Sequence, residues 1–231
     1  GALHPETVGH LVRQHHADVG IALDGDADRV IFTDHTGAVV DGDRILAMCA
    51  LEFHARGRLA QNTLVVTTMS NLGLHAAMAE RGIRVVTTDV GDRHVIEAMR
   101  AGGFSLGGEK SGHVIFMDYA TTGDGIITAL QVLRLMKISG RPLRELAQCM
   151  EEYPQQLASV PVRSRPPLET VAGFPQMLDE ARRALGESGR VVVRYSGTEP
   201  KVRVLVEGRS EAMVRQWCDR IVDLLKREIG A

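Results

Sequence analysis

Short apolar stretches alternate with longer amphipathic stretches through the first half of the chain, and this alternation restricts the fold more than any other feature. "TLVVTT" and "IRVVTTDV" have the length and composition of strands, and "ADVGIAL" is typical of a buried parallel strand. Apolar residues recur at helical spacing in "GDRILAMCALEFHARG", "GLHAAMAERG", "DRHVIEAMRAGG" and "GDGIITALQVLRLMKISG". In the last of these, Ile126, Leu130 and Leu133 share one face. The alternation predicts an α/β fold of stacked βαβ units with a mixed, mostly parallel sheet.

The pattern changes in the second half of the chain. Prolines cluster in "EEYPQQLASVPVRSRPPLE", which predicts a boundary or linker. A helix, "FPQMLDEARRALG", then precedes two strands, "RVVVRY" and "KVRVLVEG". A last amphipathic helix ends at Gly230. We therefore expect a small α+β domain at the carboxyl end.

The bulk composition argues against several classes of protein. The 231 residues are 44% hydrophobic and 24% charged, and the formal net charge is -2 with both signs interspersed. Such a charge distribution produces no positive electrostatic field that would attract nucleic acid or an anionic membrane. No apolar run approaches the roughly 18 residues of a membrane span, and we expect no signal peptide.

The three cysteines are widely spaced and match neither a metal motif nor a disulfide framework. They favour a reducing compartment, so we expect a cytoplasmic location. The chain begins without methionine, in the middle of a pattern, and we expect it to be a fragment.

Three aspartates, Asp24, Asp26 and Asp28, alternate in "IALDGDADRVIF" at the end of a strand-like run. The EF-hand calcium loop does not fit, because Arg29 and His35 occupy the positions of its glycine and glutamate. Three close carboxylates repel one another unless a positive charge lies among them. Mg²⁺ supplies that charge and favours a site completed by a phosphate oxygen. The alternative is a solvated acidic turn.

Three further glycine-rich loops carry polar side chains. In "GGEKSGHVIF", Glu109, Ser111 and His113 alternate and suit sugar recognition, although a hairpin turn with a surface histidine is equally compatible. In "VGDRHV", Asp92 is either a helix cap or, with Arg93, a ligand contact.

"RYSGTEPKVRVLVEG" is a candidate phosphate cradle. It joins a guanidinium, two hydroxyls and a glycine between two strands, with a second arginine on the returning strand: Arg194, Ser196, Gly197, Thr198 and Arg203. A plain hairpin loop is the alternative interpretation.

Taken in this order, "DGDADR", "GEKSGH" and "RYSGTEP" resemble three of the four signature loops of the α-D-phosphohexomutases. "VGDRHV", "TTGDG" and the phosphate loop are most similar to the phosphoglucosamine mutase branch of that family. The phosphomannomutase/phosphoglucomutase branch has similar loops and stays open as an alternative. The resemblance extends over essentially the whole chain.

The resemblance implies an isomerase that acts on a hexosamine phosphate, with Mg²⁺ as cofactor. Asp24, Asp26 and Asp28 would be the metal ligands, and Arg29 and His113 match positions proposed for proton transfer. Glu109 and Ser111 would contact sugar hydroxyls, with Asp92 and Arg93 as further substrate contacts. The substrate's non-reacting phosphate would be held by Arg194, Ser196, Gly197 and Thr198.

The family's fourth signature, a Ser-His-Asn-Pro loop whose serine carries the phosphoryl group, is absent from this sequence. Ser70, in "TTMSNLG", lacks the histidine and the proline. We therefore expect the N-terminal domains of the same enzyme to lie outside this chain, and the chain alone to bind without catalysing.

We expect three parts: the remnant of a second domain with the metal loop, a third α/β domain with the sugar loop, and a C-terminal domain with the phosphate loop, at residues 1–38, 39–150 and 151–231. A non-catalytic sugar-phosphate-binding module is a second interpretation. A haloacid-dehalogenase-like phosphatase is a third, although "DGDADR" does not match its motif.

Overall fold

A computed structural model of the chain describes residues 2, 4–197 and 199–231. It consists of two compact units, residues 1–151 and residues 152–231. The first unit contains six helices and seven strands among its described residues: α1 Pro5–His15, β1 Val19–Leu23, β2 Val30–Asp34, β3 Val39–Val40, α2 Gly42–Ala55, β4 Thr63–Thr67, α3 Leu72–Ala79, β5 Arg84–Thr88, α4 Asp92–Gly102, β6 Leu106–Gly108, β7 Val114–Phe116, α5 Gly125–Ser139 and α6 Leu143–Leu146.

The main sheet of the first unit has the strand order β5-β4-β6-β7. Strand β4 is parallel to β5 and to β6, whereas β7 returns antiparallel to β6. Residues on β4 alternate between two apolar clusters: Leu64 and Val66 pack with α2, and Val65 packs with Val95 and Met99 of α4. The sheet is therefore covered on both faces, as expected for βαβ units.

A second sheet in this unit is an antiparallel meander of β1, β2 and β3. The interpretation of "ADVGIAL" as a buried parallel strand is therefore wrong. Strand β1 pairs with β2 in the antiparallel direction, and Ile21 is exposed. A short apolar run does not determine the direction of its partner strand, because the partner's position depends on the loop between them.

Side-chain caps fix where the helices of the first unit begin. The Asp41 carboxylate accepts a hydrogen bond from the Arg44 N–H at 3.1 Å, at the start of α2. Asn71 caps α3, and Asp124 accepts from two N–H groups at the start of α5. Each cap satisfies donors that the helix leaves free and contributes about 1 kcal/mol.

The face of α5 that contains Ile126 and Leu130 does not pack against the core. These two side chains are exposed, and the buried positions include Ala129, Val132 and Leu135. The helix is apolar on several sides, so periodicity alone does not identify its packing face.

The second unit contains an antiparallel sheet of order β8-β10-β9 packed against two helices: β8 Gln155–Pro161, α7 Phe174–Leu185, β9 Arg190–Tyr195, β10 Lys201–Glu207 and α8 Glu211–Ile229. The predicted boundary in the proline-rich stretch is confirmed, because the first unit ends at Glu151 and the second begins at Glu152. The same stretch also contains strand β8, so it is not a linker along its whole length. Proline is tolerated there because β8 is an edge strand. The predicted fold class, a mixed, mostly parallel α/β part followed by a small α+β part, is confirmed.

No helix in the described part of the chain is both long enough and apolar enough to span a bilayer.

Candidate active site

The metal loop, residues 24–29, is the turn between β1 and β2. One carboxylate oxygen from each of Asp24, Asp26 and Asp28 lies within 4.8 Å of the others. The Arg29 Nε atom is 2.7 Å from Asp24 Oδ2 and 3.4 Å from Asp28 Oδ1. The Arg29 backbone N–H also donates to Asp24 Oδ1 at 3.2 Å. The loop therefore brings three carboxylates together, and the Arg29 guanidinium contacts two of them.

The electrostatics of this loop fit a hard cation. Burial and the charges of Asp24 and Asp26 raise the pKa of Asp28. Burial also opposes ionisation of Asp24, but the backbone N–H and guanidinium of Arg29 hold its pKa below its usual value. Asp24 Oδ2 is buried, and the Arg29 guanidinium lies against it. Three carboxylates that converge in one loop suit a hard cation such as Mg²⁺.

The sugar loop, residues 108–113, is the hairpin turn between β6 and β7. The Glu109 N–H donates to the His113 carbonyl at 2.8 Å, and the Gly112 N–H donates to the Glu109 carbonyl at 3.0 Å. Ser111 is exposed, whereas His113 is only 2% exposed. The loop is thus a hairpin turn, but its histidine is not a surface residue.

The metal loop and the sugar loop are joined by their backbones. Arg29 and His113 form an isolated antiparallel bridge, and the Val30 N–H donates to the Gly112 carbonyl at 3.1 Å. This pairing places His113 Nε2 3.7 Å from Asp28 Oδ2. Neither imidazole nitrogen of His113 has a hydrogen-bond partner among the described residues. A buried imidazole with free nitrogens therefore lies beside the three carboxylates.

The loop before α4 also reaches the sugar loop. Glu109 Oε1 accepts a hydrogen bond from the Gly91 N–H at 3.0 Å. Gly91, and not Asp92, is the N-cap residue of α4, so the interpretation of Asp92 as the cap is wrong. The Asp92 carboxylate accepts from the Arg93 N–H at 2.7 Å, and Arg93 pairs with Glu97 on the exposed side of the helix. Glu109 therefore contacts this loop at the backbone N–H of Gly91, and not at the side chains of Asp92 or Arg93.

The phosphate loop connects β9 to β10 in the second unit. Arg194 and Arg203 lie opposite each other in the antiparallel register and so share one face of the sheet. Arg203 is 3.5 Å from a Glu199 carboxylate oxygen, while Arg194 is exposed and has no ion-pair partner among the described residues. Two cations directly opposite each other repel, which an anion between them would relieve.

The remaining residues of the phosphate loop have distinct positions. Ser196 is 3% exposed, and its hydroxyl accepts a hydrogen bond from the Glu199 N–H at 3.3 Å. Gly197 is exposed. Thr198 lies outside the described residues. The Ser196 hydroxyl therefore also stabilises the loop itself.

Two positions near the site are not singled out by the sequence motifs. Asp43 is fully buried in the first turn of α2, and Gly123 lies against the His113 ring. Asp43 has a visible signal, since it is a charged residue at the start of a mostly apolar helix. Gly123 has no such signal beyond its place in "TTGDG", because its contact with the His113 ring exists only in the folded chain.

Two family models match the chain. The phosphoglucomutase/phosphomannomutase α/β/α domain III matches residues 41–153, and the C-terminal domain of the same family matches residues 144–224. Together they extend over most of both units.

Curated relatives have closely similar sequences. The chain is 49% identical over 230 residues to the phosphoglucosamine mutase of Syntrophotalea carbinolica, and 50% identical to that of an Anaeromyxobacter species. All of this chain is aligned, but only 50% and 49% of those two relatives. The chain therefore spans about half the length of the curated relatives it matches.

Solved structures agree on the fold. The N-acetylphosphoglucosamine mutase of Aspergillus fumigatus, in complex with GlcNAc-6P and magnesium, superposes with a TM-score of 0.75 at 23% identity. That alignment extends over 98% of this chain and 52% of the other. A phosphoglucomutase/phosphomannomutase family protein from Burkholderia thailandensis gives a TM-score of 0.76 at 21% identity, over 100% of this chain and 53% of the other. The two domain models, the curated relatives and the shared fold agree, and the chain belongs to the phosphoglucomutase/phosphomannomutase family.

Proposed function

We propose that this chain provides the metal, sugar and phosphate loops of a phosphoglucosamine mutase, which interconverts glucosamine 6-phosphate and glucosamine 1-phosphate. The identity of 49% to 50% with phosphoglucosamine mutases along the whole chain supports this branch of the family. The structural observation that carries the proposal is the backbone bridge between Arg29 and His113. It joins an acidic loop suited to a cation with a polar loop suited to a sugar.

Asp24, Asp26 and Asp28 would hold Mg²⁺. When bound, the cation would neutralise charge on the transferred phosphoryl group. Arg29 supports these residues in two ways. Its guanidinium reduces the mutual repulsion of Asp24 and Asp28, and its backbone N–H orients Asp24. The ligand set is therefore ordered by the same residue that begins the bridge to the sugar loop.

His113 and Arg29 are the candidate groups for proton transfer. A sugar hydroxyl that accepts a phosphoryl group must lose a proton, and the leaving serine oxygen must regain one. The His113 imidazole is held by the hairpin, is shielded from bulk water and has free nitrogens among the described residues. Its position next to Asp28 places a proton acceptor beside the proposed metal ligands.

The sugar and phosphate loops would each contact a different part of the substrate. Glu109 and Ser111 would contact sugar hydroxyls, with Asp92 and Arg93 nearby in sequence to the Gly91 contact of Glu109. The non-reacting phosphate would bind at the phosphate loop: Arg194, Ser196, Gly197, Thr198 and Arg203. A substrate that reacts at either end has to bind in two orientations, which requires a distal phosphate site that serves both.

In the complete reaction, a phosphoserine transfers its phosphoryl group to the free hydroxyl of glucosamine 6-phosphate. The resulting 1,6-bisphosphate reorients in the site and returns its other phosphoryl group to the serine. Glucosamine 1-phosphate then leaves. The serine loop for this step is absent from the 231-residue sequence. We propose that it belongs to N-terminal domains of the same enzyme, and that residues 1–38 and 39–150 are successive domains of that family.

Calorimetric titration of the chain with glucosamine 6-phosphate, with and without Mg²⁺, tests this proposal. Binding is expected for the wild-type chain and weaker binding for Arg194→Ala. Binding of glucose 6-phosphate or mannose 6-phosphate in preference would favour the phosphomannomutase/phosphoglucomutase branch. Absence of heat with all three sugar phosphates would contradict the proposal. Mutase turnover by the isolated chain would contradict the assignment of the serine to other domains.

A further inference from the structure

Asp43 is a buried carboxylate of the first unit. It belongs to the first turn of α2 and is 0% exposed. Its neighbours in the helix, including Ile45 and Leu46, are also fully buried. Burying an ionisable group is costly unless it has a structural or functional partner. The reaction proposed above gives Asp43 no part in binding or chemistry, so its burial needs another explanation.

On one side, Asp43 holds the loop that leads into α3. Its Oδ2 atom accepts a hydrogen bond from the Asn71 N–H at 2.8 Å. Asn71 in turn caps α3, because its side chain accepts from the Gly73 N–H at 2.9 Å. At the other end of the same loop, the Thr68 N–H donates to the Thr88 carbonyl at the end of β5. Asp43 therefore anchors the loop at the carboxyl end of β4.

On the other side, the same helical turn supports the sugar loop. The Gly42 N–H donates to the Lys110 carbonyl at 3.0 Å, and Lys110 Nζ is 3.7 Å from an Asp41 carboxylate oxygen. The approach is close: a Cβ atom on Gly42 would lie 2.2 Å from the Glu109 carbonyl oxygen. A shift in the first turn of α2 would therefore move the backbone of Glu109 and Lys110 directly.

From these contacts we infer that Asp43 is a positioning residue that holds the sugar loop and the loop before α3 in one arrangement. It acts through the backbone of α2 and does not touch the proposed substrate. The inference rests on the proposed function only in assigning sugar binding to residues 108–113. The mechanical link itself follows from the contacts of Asp41, Gly42 and Asp43.

The charge of Asp43 makes this link sensitive to pH. Burial raises the pKa of Asp43 to about 7, against the hydrogen bonds from the Asn71 N–H and the Ser70 side chain. The charged groups that face it are Asp41, which also raises the pKa, and Lys110, which lowers it. An acid whose pKa is higher in the closed structure than in water favours opening once it ionises. Local opening of this turn should therefore become easier as the pH rises through neutrality.

Hydrogen exchange of the backbone amides of Gly42, Asn71 and Gly112 measures this opening. Between pH 6 and pH 8, the protection factors of these amides should fall by roughly tenfold in the wild-type chain. This is the change expected for a carboxyl whose pKa is about 4 in the open state and about 7 in the closed state. Asp43→Asn keeps the shape and the acceptor but cannot ionise, so its protection factors should be independent of pH. Asp34→Asn removes a buried carboxylate at the end of β2; it is the matched control and should retain the wild-type pH dependence.

Two results would overturn the inference. One is a tenfold pH dependence that persists in Asp43→Asn. The other is unchanged protection of Gly42 and Gly112 in Asp43→Ala, which removes the acceptor altogether. If Asp43→Ala does not fold, the Asp43→Asn comparison decides alone.

Calorimetry with glucosamine 6-phosphate separates this inference from the proposed function. Asp43→Ala should bind at least about tenfold more weakly than wild type, and Asp43→Asn should recover most of that loss. If the wild-type chain shows no binding, the proposed function fails, while the exchange experiment still decides the role of Asp43.

Discussion

His113 Nε2 lies 3.7 Å from Asp28 Oδ2, although the two residues lie in turns of different sheets of the first unit. The contact depends on the backbone bridge between Arg29 and His113. A single hairpin turn thus supplies a buried imidazole to an acidic loop that follows a different strand.

Asp26→Asn should weaken Mg²⁺ binding with little effect on folding. Asp26 is the exposed member of the three carboxylates, whereas Asp24 is paired with Arg29. The affinity for Mg²⁺ should fall by at least roughly tenfold, because loss of even a residue that only orients a metal ligand has an effect of that size. Calorimetric titration with Mg²⁺ measures it. Asp18→Asn removes another exposed carboxylate of the same unit and should leave the affinity unchanged. Equal affinities in the two variants would remove Asp26 from the ligand set.

Gly123→Ala should displace the His113 ring. A Cβ atom at this position would lie 2.3 Å from Nε2 and 2.4 Å from Cδ2 of His113. Overpacking of this kind costs about 1–3 kcal/mol of stability. We expect lower stability in urea and shifted imidazole resonances of His113 in NMR spectra.

Gly197→Ala is the control for that substitution. Gly197 lies in the second unit, and a Cβ atom there would meet nothing within 4 Å. It should leave both measurements as in wild type. Unchanged His113 resonances in Gly123→Ala would show that the ring does not depend on the space beside Gly123.

Arg194→Lys should weaken binding of the substrate's phosphate by roughly tenfold, since lysine cannot form the paired hydrogen bonds of a guanidinium. Arg194 faces Arg203 across the strand pair, and only Arg203 has a carboxylate partner among the described residues. Calorimetry with glucosamine 6-phosphate provides the measurement. Arg183→Lys, an exposed substitution on α7 of the same unit, should have no effect. A wild-type affinity for Arg194→Lys would argue for the plain hairpin interpretation of this loop.

The first unit should lose stability as the pH rises from 4 to 7 because of Asp43. In the unfolded chain its carboxyl ionises near its ordinary pKa of about 4, whereas burial raises the folded pKa to about 7. The folded state binds more protons in that interval, so the free energy of unfolding falls with pH. The full cost, about 4 kcal/mol at most, is reached above pH 7 and is absent below pH 4.

Urea unfolding of wild type and Asp43→Asn between pH 4 and 8, followed by circular dichroism, checks this expectation. The difference in stability between the two proteins should grow with pH in favour of the asparagine variant. Trp217, the single tryptophan, lies in the second unit, and its fluorescence should report a transition that the substitution does not change. A constant difference across the range would mean that Asp43 does not titrate in it.

Much of the fold can be predicted from the sequence, because local patterns determine local elements. The buried face of α2, with Ile45 and Phe53, follows from spacing alone, as does the amphipathic α8. Strand direction is different, since it depends on the partner: β1 is antiparallel although its apolar run suggests a parallel strand. Strand β8 is not predicted, because its stretch contains prolines that an interior strand would not tolerate. It forms nevertheless, because β8 is an edge strand.

The candidate site is predictable to a lesser degree. The motifs identify the metal, sugar and phosphate loops as separate segments. They do not indicate that Glu109 contacts the Gly91 N–H, that Gly112 accepts from Val30, or that a buried Asp43 lies beneath the sugar loop. These contacts join residues far apart in the chain, and a local pattern contains no information about them.

The bridge between Arg29 and His113 also bears on the order of events during folding. Helices α2, α3 and α4 lie between these residues in the chain, so the bridge closes a long loop. Loop closure of this kind is entropically unfavourable and tends to follow the formation of local contacts. On the ribosome, the acidic turn emerges well before the hairpin that completes it. The Asp28 carboxylate therefore lacks its neighbouring imidazole until the hairpin turn that contains His113 has been synthesised and paired.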